Sequence, residues 1–174
     1  MRARPWKEIM MTPDQAKFLA GVVGQGLQGE WMHTYKAINA IQEAKKDYKP
    51  APDSRSAWDL AHHIAICDVG FLQAVLNNTF ANFPAKTNAT TIADLAAWYK
   101  HEMPKALEAV LALDGNHLTQ IVEAWGMKLP SVVYLNFCNN HMIHHRGQLT
   151  TYIRPTGGKV PAMYGESFDE KMGG

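Results

Sequence analysis

Apolar residues recur at helical spacing in four long stretches of this chain. Thr12-Pro13-Asp14-Gln15 reads as a helix start, with Thr at the N-cap, Pro first in the helix and Gln three after the cap. The helix it opens is predicted to run to about residue 46, with Phe18, Leu19, Val22, Trp31, Tyr35, Ile38 and Ile41 as its apolar positions. Gly21, Gly24, Gly26 and Gly29 weaken its first half, each by about 1 kcal/mol relative to Ala, which points to close helix packing or a bend. Ser56 with Asp59 forms a second capping box and opens a helix to about residue 77. Thr91 with Asp94 caps a third, which reaches about residue 113 and carries Pro104, so a kink near His101 is expected. Pro130 begins a fourth, which ends near residue 154 before Pro155-Thr156-Gly157-Gly158.

Between these stretches the pattern fades. Residues 49–53 are a Pro-rich linker, and residues 78–88 are polar and long enough to cross the end of a bundle. Residues 116–129 show no period and are read as irregular, and the tail from residue 155 to 174 as coil. No repeat, low-complexity tract or strand-like alternation is visible. The expected architecture is therefore all-α: one four-helix-bundle domain over residues 1–174, with a long crossover between the second and third helices. Residues 1–11 read as an N-terminal extension, in which Met10 or Met11 serves equally as a start.

Composition narrows the function classes. With 17 Lys and Arg against 16 Asp and Glu in 174 residues, the chain has no broad basic field for nucleic acid. A 47% hydrophobic content and a net charge of +1 argue against disorder. No uninterrupted apolar run reaches the roughly 18 residues of a membrane span, and no apolar segment follows the basic N-terminus as in a secretory signal. Two cysteines make no disulfide scaffold, and a reducing cytoplasm is the expected setting.

Eight histidines are a surplus, and their placement matters more than their number. On the fourth helix Leu135, Cys138, Met142, Leu149, Tyr152 and Ile153 define an apolar stripe. At about 100° per residue, His145 falls near the centre of that stripe and His141 about 40° from it, while His144 falls near the polar boundary. His141 and His145 are thus an i, i+4 pair on one inward face, a spacing that lets two imidazoles share one ion. On the second helix His62 lies nearly opposite the stripe through Ile64, and His63 lies at its margin, so only His63 can reach inward. Spacing alone leaves two readings, a metal site and hydrogen-bonded core histidines.

The segment His141-Met142-Ile143-His144-His145-Arg146-Gly147-Gln148-Leu149 resembles the signature of the DinB-like superfamily, also called DinB/YfiT-like metalloenzymes. Ser56-Ala57-Trp58-Asp59-Leu60-Ala61-His62-His63-Ile64-Ala65 resembles the second-helix segment of that family, and Val160-Pro161-Ala162-Met163-Tyr164-Gly165 its tail. The resemblance implies a four-helix bundle with a long crossover and a divalent metal held by His63, His141 and His145. It also implies either a thiol-dependent transferase using a low-molecular-weight thiol or a hydrolase, acting on a small molecule. Ile66 departs from the pattern, because many relatives carry an acidic residue three after the ligand; Asp68, on the stripe, is the candidate to replace it.

Three neutral histidines leave one position of a tetrahedral ion open, the catalytic pattern. Zinc is the first expectation and nickel the next, with iron or manganese also compatible with imidazole ligands. Gln148 is placed either on the second nitrogen of a ligand or in a structural role. Cys67 and Cys138, one turn from His63 and His141, are read as small core residues rather than ligands. His144 and Arg146 are read as solvated, His33, His101 and His117 as surface or interhelical, and Trp31, Trp58, Trp98 and Trp125 as core. Two further readings stand beside the enzyme: a metal-binding or stress-associated protein without turnover, and an interaction module whose histidines merely pack. A homodimer is expected from the Met-rich apolar surface and the resemblance.

Overall fold

The capping signals act where the sequence places them. In the computed structural model, which describes residues 10–171, Gln15 N–H donates to the Thr12 hydroxyl while the Gln15 side chain accepts from the Thr12 amide. This closes the N-terminus of α1, Pro13–Asn39. Ser56 and Asp59 form the same reciprocal pair at the start of α2, Ala57–Asn77, and Thr91 accepts from the Asp94 amide at the start of α3, Ile92–Ala112. Each cap satisfies amides that the first helical turn leaves orphaned. The expected extension over residues 1–11 lies mostly outside the described residues.

Two helix boundaries and one connecting stretch differ from expectation. The first helix stops at Asn39, and a single 3₁₀ turn follows at Glu43–Lys45. The backbone there serves the next helices instead of its own. The carbonyls of Lys46 and Tyr48 accept from Trp58 and Ala57, and the Glu43 carboxylate accepts from the Ile92 amide at 2.7 Å. α3 runs through Pro104 from end to end. The stretch expected to be irregular holds a short helix α4, Gly115–Leu118, and an antiparallel hairpin of β1, Ile121–Ala124, and β2, Met127–Pro130. Pro130 pairs with Ile121 in that ladder, so the last helix, α5, begins only at Val133 and runs to Ile153.

The fold is mostly helical. α1 packs on α3 and α5, and α2 packs on the same two, so the four long helices close a ring. The expected crossover, residues 78–91, joins ring neighbours α2 and α3. The two diagonals are spanned elsewhere, by residues 40–56 and 113–132. Inside the ring Leu27, Ile38, Ile64, Leu72, Leu95, Met103, Leu107 and Leu135 are fully buried, each contributing about 1.5–3 kcal/mol of apolar transfer energy. α2 is apolar enough, by length and composition, to match a membrane span, yet 67% of the relevant window is buried inside the structure. Its Gly70 lets the 78–91 segment lie close: a Cβ there would stand 2.9 Å from the Ala85 amide nitrogen and 3.0 Å from the Phe83 ring.

Of the apolar positions expected on α1, Ile38 and Ile41 are buried and Leu19, Trp31 and Tyr35 pack against the core, but in the first half the inward face is not the one Phe18 and Val22 suggested. Ala16, Ala20, Gly24 and Leu27 are buried, whereas Phe18 is 75% and Val22 52% exposed. Small residues face the core because α1 and α3 approach closely, with Leu111 pressed against Gly24. Gly21 and Gly29 face open space. Among the described residues the tail carries no regular element from 155 to 171, and Tyr164 ties it back to α1 by donating to Glu30 Oε2 at 2.6 Å.

Candidate metal centre

α2 and α5 bring His63, His141 and His145 together. His63 Nε2 lies 3.1 Å from His141 Nε2 and 3.4 Å from His145 Nε2. The ring centroids of the three pairs are 4.5–5.0 Å apart. All three imidazoles are partly buried.

The second nitrogen of each ring has its own partner. His141 Nδ1 meets Asp68 Oδ1 at 2.8 Å, His145 Nδ1 meets Gln148 Oε1 at 2.8 Å, and His63 Nδ1 meets Cys67 Sγ at 3.5 Å. An acceptor oxygen on Nδ1 fixes the proton there, so His141 and His145 present bare lone pairs at Nε2. His63 Nε2 carries at most one proton and cannot donate it to both neighbours. As hydrogen-bonded core histidines the trio would therefore leave a lone pair facing nitrogen. Nitrogens about 3.3 Å apart are what two ligands at about 2.0–2.1 Å from a tetrahedral ion require, and the donor set is that of zinc-type sites. The residues present fit a metal ion on these grounds.

The surroundings keep the three imidazoles neutral. Burial pulls His63 and His141 down to about 4, the Arg55 charge and neighbouring imidazoles adding to it, and burial lowers His145 as well. Asp68 is fully buried, and burial pushes its carboxyl well above the ordinary range; the Tyr99 hydroxyl, donating to Oδ2 at 3.0 Å, and the Arg146 charge oppose that rise. The chain His141–Asp68–Tyr99 thus spans α5, α2 and α3, and orients the ligand as carboxylate–histidine pairs do in metal sites.

Cys67 is the residue the sequence undervalued. Its sulfur and ligand atoms of His63 and His141 all lie within 4.8 Å of one another, so this His-His-Cys cluster can hold a metal ion. Burial pushes the thiol up to about 12, so only a bound cation would make it a thiolate. Its hydrogen-bond contact is with Nδ1 of His63, whereas the contacts of His141 and His145 are with Nε2 of that ring. Cys138 is buried and donates to the Asp68 carbonyl at 3.5 Å. Tyr99 carried no sequence signal, since an aromatic residue on an apolar stripe reads as plain core.

The remaining histidines divide as follows. His144 is exposed beside Gln148, His62 stacks on Trp58, His33 meets the Tyr164 ring, His117 Nε2 reaches the Val75 carbonyl at 2.9 Å, and His101 is exposed. Two readings are corrected. Arg146 is buried, 2% exposed, because it pairs with Glu30 of α1 and lies against the Tyr164 ring. Trp125 is 59% exposed, because it occupies the hairpin turn rather than a helix face.

Comparison with known proteins gives a consistent picture. The chain is 25% identical over 141 residues to the uncharacterised protein YrdA of Bacillus subtilis (strain 168), covering 79% of this chain and 83% of that one. To YjoA of the same organism it is 27% identical over 126 residues, 71% of this chain and 82% of that one. The crystal structure of YjoA, a DinB-like protein, superposes with a TM-score of 0.68 at 22% identity, covering 87% of this chain and 99% of that one. A DinB-like protein from Bacillus cereus ATCC 10987 does so with a TM-score of 0.66 at 23% identity, over 80% and 94%. These likenesses show the fold, and the DinB family profile matches residues 22–172; the chain belongs to the DinB family.

Proposed function

We propose that this protein is a metal-dependent enzyme in which His63, His141 and His145 hold one divalent ion, zinc or nickel first and iron or manganese next. The observation that supports the proposal is the pairing of every Nδ1 with a partner while the Nε2 atoms of His141 and His145 both lie within 3.4 Å of His63 Nε2. The reaction class is transfer of a low-molecular-weight thiol, or hydrolysis, on a small-molecule substrate. A bound divalent ion supplies Lewis acidity, which lowers the pKa of a coordinated water or thiol. The chain supplies the rest. Asp68 and Gln148 fix ring orientation and tautomer, Tyr99 holds Asp68, and burial keeps the imidazoles deprotonated at neutral pH. The proposal takes the whole chain as one four-helix-bundle domain acting in the cytoplasm as a homodimer, with no nucleic-acid or membrane partner.

A second reading, a non-catalytic metal-binding or stress-associated protein, is favoured by Cys67. A thiolate there as a fourth protein ligand would close the coordination sphere, the structural pattern. Metal content by mass spectrometry on tag-free protein tests both. The enzyme reading expects about one ion per chain, lost in His63→Ala, His141→Ala and His145→Ala and retained in Cys67→Ser. Loss in Cys67→Ser supports the closed site. Wild-type protein that takes up neither zinc nor nickel overturns both.

A further inference from the structure

Two hollows meet at His144 and His145, which line both, and they differ in the groups they offer a ligand. Each hollow is about 720 Å³, enough for a small organic molecule. On one side Phe71, Trp125, Met127, Val133 and Phe137 form an apolar wall against His141. On the other, Arg55, Ser54, Gln148 and Thr151 place polar groups beside Leu60 and Tyr152, so that the wall is mixed and carries the one cationic side chain of the two hollows.

Trp125 is the unusual member. It sits at φ +50° in a two-residue turn with Gly126 at φ +75°, positions where Asn and Gly are the low-cost choices. A bulky aromatic residue held there stores backbone strain, and such strain gathers at ligand clamps. Its indole packs edgewise on Phe80 and Phe83 and tilted on Phe71, with centroids 4.9–5.9 Å away, yet 59% of the residue stays exposed toward the hollow side of the hairpin. Arg55 is the opposite pole. It is exposed and makes no ion pair among the described residues, and its charge is felt at all three imidazoles. A single unpaired guanidinium matches a carboxylate, whose two oxygens fit its fork.

We propose that the substrate is an amphipathic carboxylate, a small molecule whose flat apolar or aromatic body lies against Trp125, Phe71 and Phe137 and whose carboxylate reaches Arg55 past His145. This assignment rests on the metal-site reading above. The two walls are features of the chain itself, so they are testable apart from the ion.

The test is calorimetric titration of zinc-loaded protein, its metal content measured in the same sample, with three probes: 4-phenylbutanoate, 4-phenylbutan-1-ol and butanoate. The expected result is that phenylbutanoate binds at least about tenfold more tightly than either fragment probe. Arg55→Gln removes its advantage over the alcohol and Trp125→Ala its advantage over butanoate, while Trp125→Phe keeps most of it. Equal affinities for the three probes overturn the assignment, as do preferences that survive both Arg55→Gln and Trp125→Ala; the latter result would mean carboxylate binding at the ion alone. Repeating the titration on chelator-treated protein separates the two levels. Arg55 and Trp125 dependence without metal uptake supports the amphipathic site and overturns the metal centre, and metal uptake without that dependence does the reverse.

Discussion

Asp68 and His141 are joined across α2 and α5 by a 2.8 Å hydrogen bond whose carboxylate is 0% exposed. A buried carboxylate with one oxygen on a ligand imidazole and the other on Tyr99 holds that ring in one orientation and one tautomer. Asp68→Asn is expected to lower metal affinity about 10–100-fold with the helical content unchanged. Competition with a chromophoric chelator measures this. Tyr99→Phe should cost less, because the Nδ1 contact survives.

The low basicity of His63 and His141 sets the acid response of the metal-free protein. Both are held near 4 in the fold, against 6.5 for an ordinary imidazole in the unfolded chain. Between those values the unfolded chain binds more protons, so stability rises with pH. Chelator-treated protein should therefore lose stability as pH falls from about 6.5 toward about 4, and change little from these groups above that window. Urea midpoints across the window check the sign, and a flat profile would mean that the rings protonate freely within the fold.

Arg146 and Arg154 make a contrast of burial. The Arg146 side chain, 3% exposed, pairs with Glu30, whereas Arg154, 55% exposed, pairs with Asp169. Arg146→Ala leaves Glu30, 16% exposed, with only the Tyr164 hydroxyl as partner and is expected to destabilise by about 3 kcal/mol. Arg154→Ala should cost under about 1 kcal/mol. Denaturant titrations of the two variants, side by side, read the difference.

Gly70 is a packing prediction. Ala at that position brings a methyl group against the Ala85 amide and the Phe83 ring, at 2.9 and 3.0 Å. The 78–91 segment must shift, at an overpacking cost of about 1–3 kcal/mol. Thermal unfolding measures it, and an unchanged midpoint would show that the segment gives way freely.

Helix starts were legible because Thr12, Ser56 and Thr91 carry their capping partners three residues on. The inward face of α5 was legible because Leu135, Cys138, Met142 and Leu149 keep one period, and that period put His141 and His145 on the side where the structure has them. Three things were not. The inner face of the first half of α1 is built of Ala16, Ala20 and Gly24, whose small size hides them from a pattern that looks for large apolar residues. The hairpin was invisible because Trp125-Gly126 lacks the Asn-Gly signal of its turn, and four-residue strands are too short to show alternation. The inward place of Arg146 depends on Glu30, which lies 116 residues earlier in the chain, and no local pattern reports such a pairing.

The hairpin is bonded strand to strand only within itself, and Val122, Leu129 and the Val122 carbonyl, which accepts from Tyr134, anchor it to the body. The histidines stand on α2 and α5, and the apolar wall facing them is completed from β1–β2. Under the proposed function, the chemistry and the choice of substrate would be carried by separable pieces of chain. A hairpin so joined to the body can be lengthened, shortened or rewritten without touching the three imidazoles, so on that reading a change of substrate would not require a change of ligands.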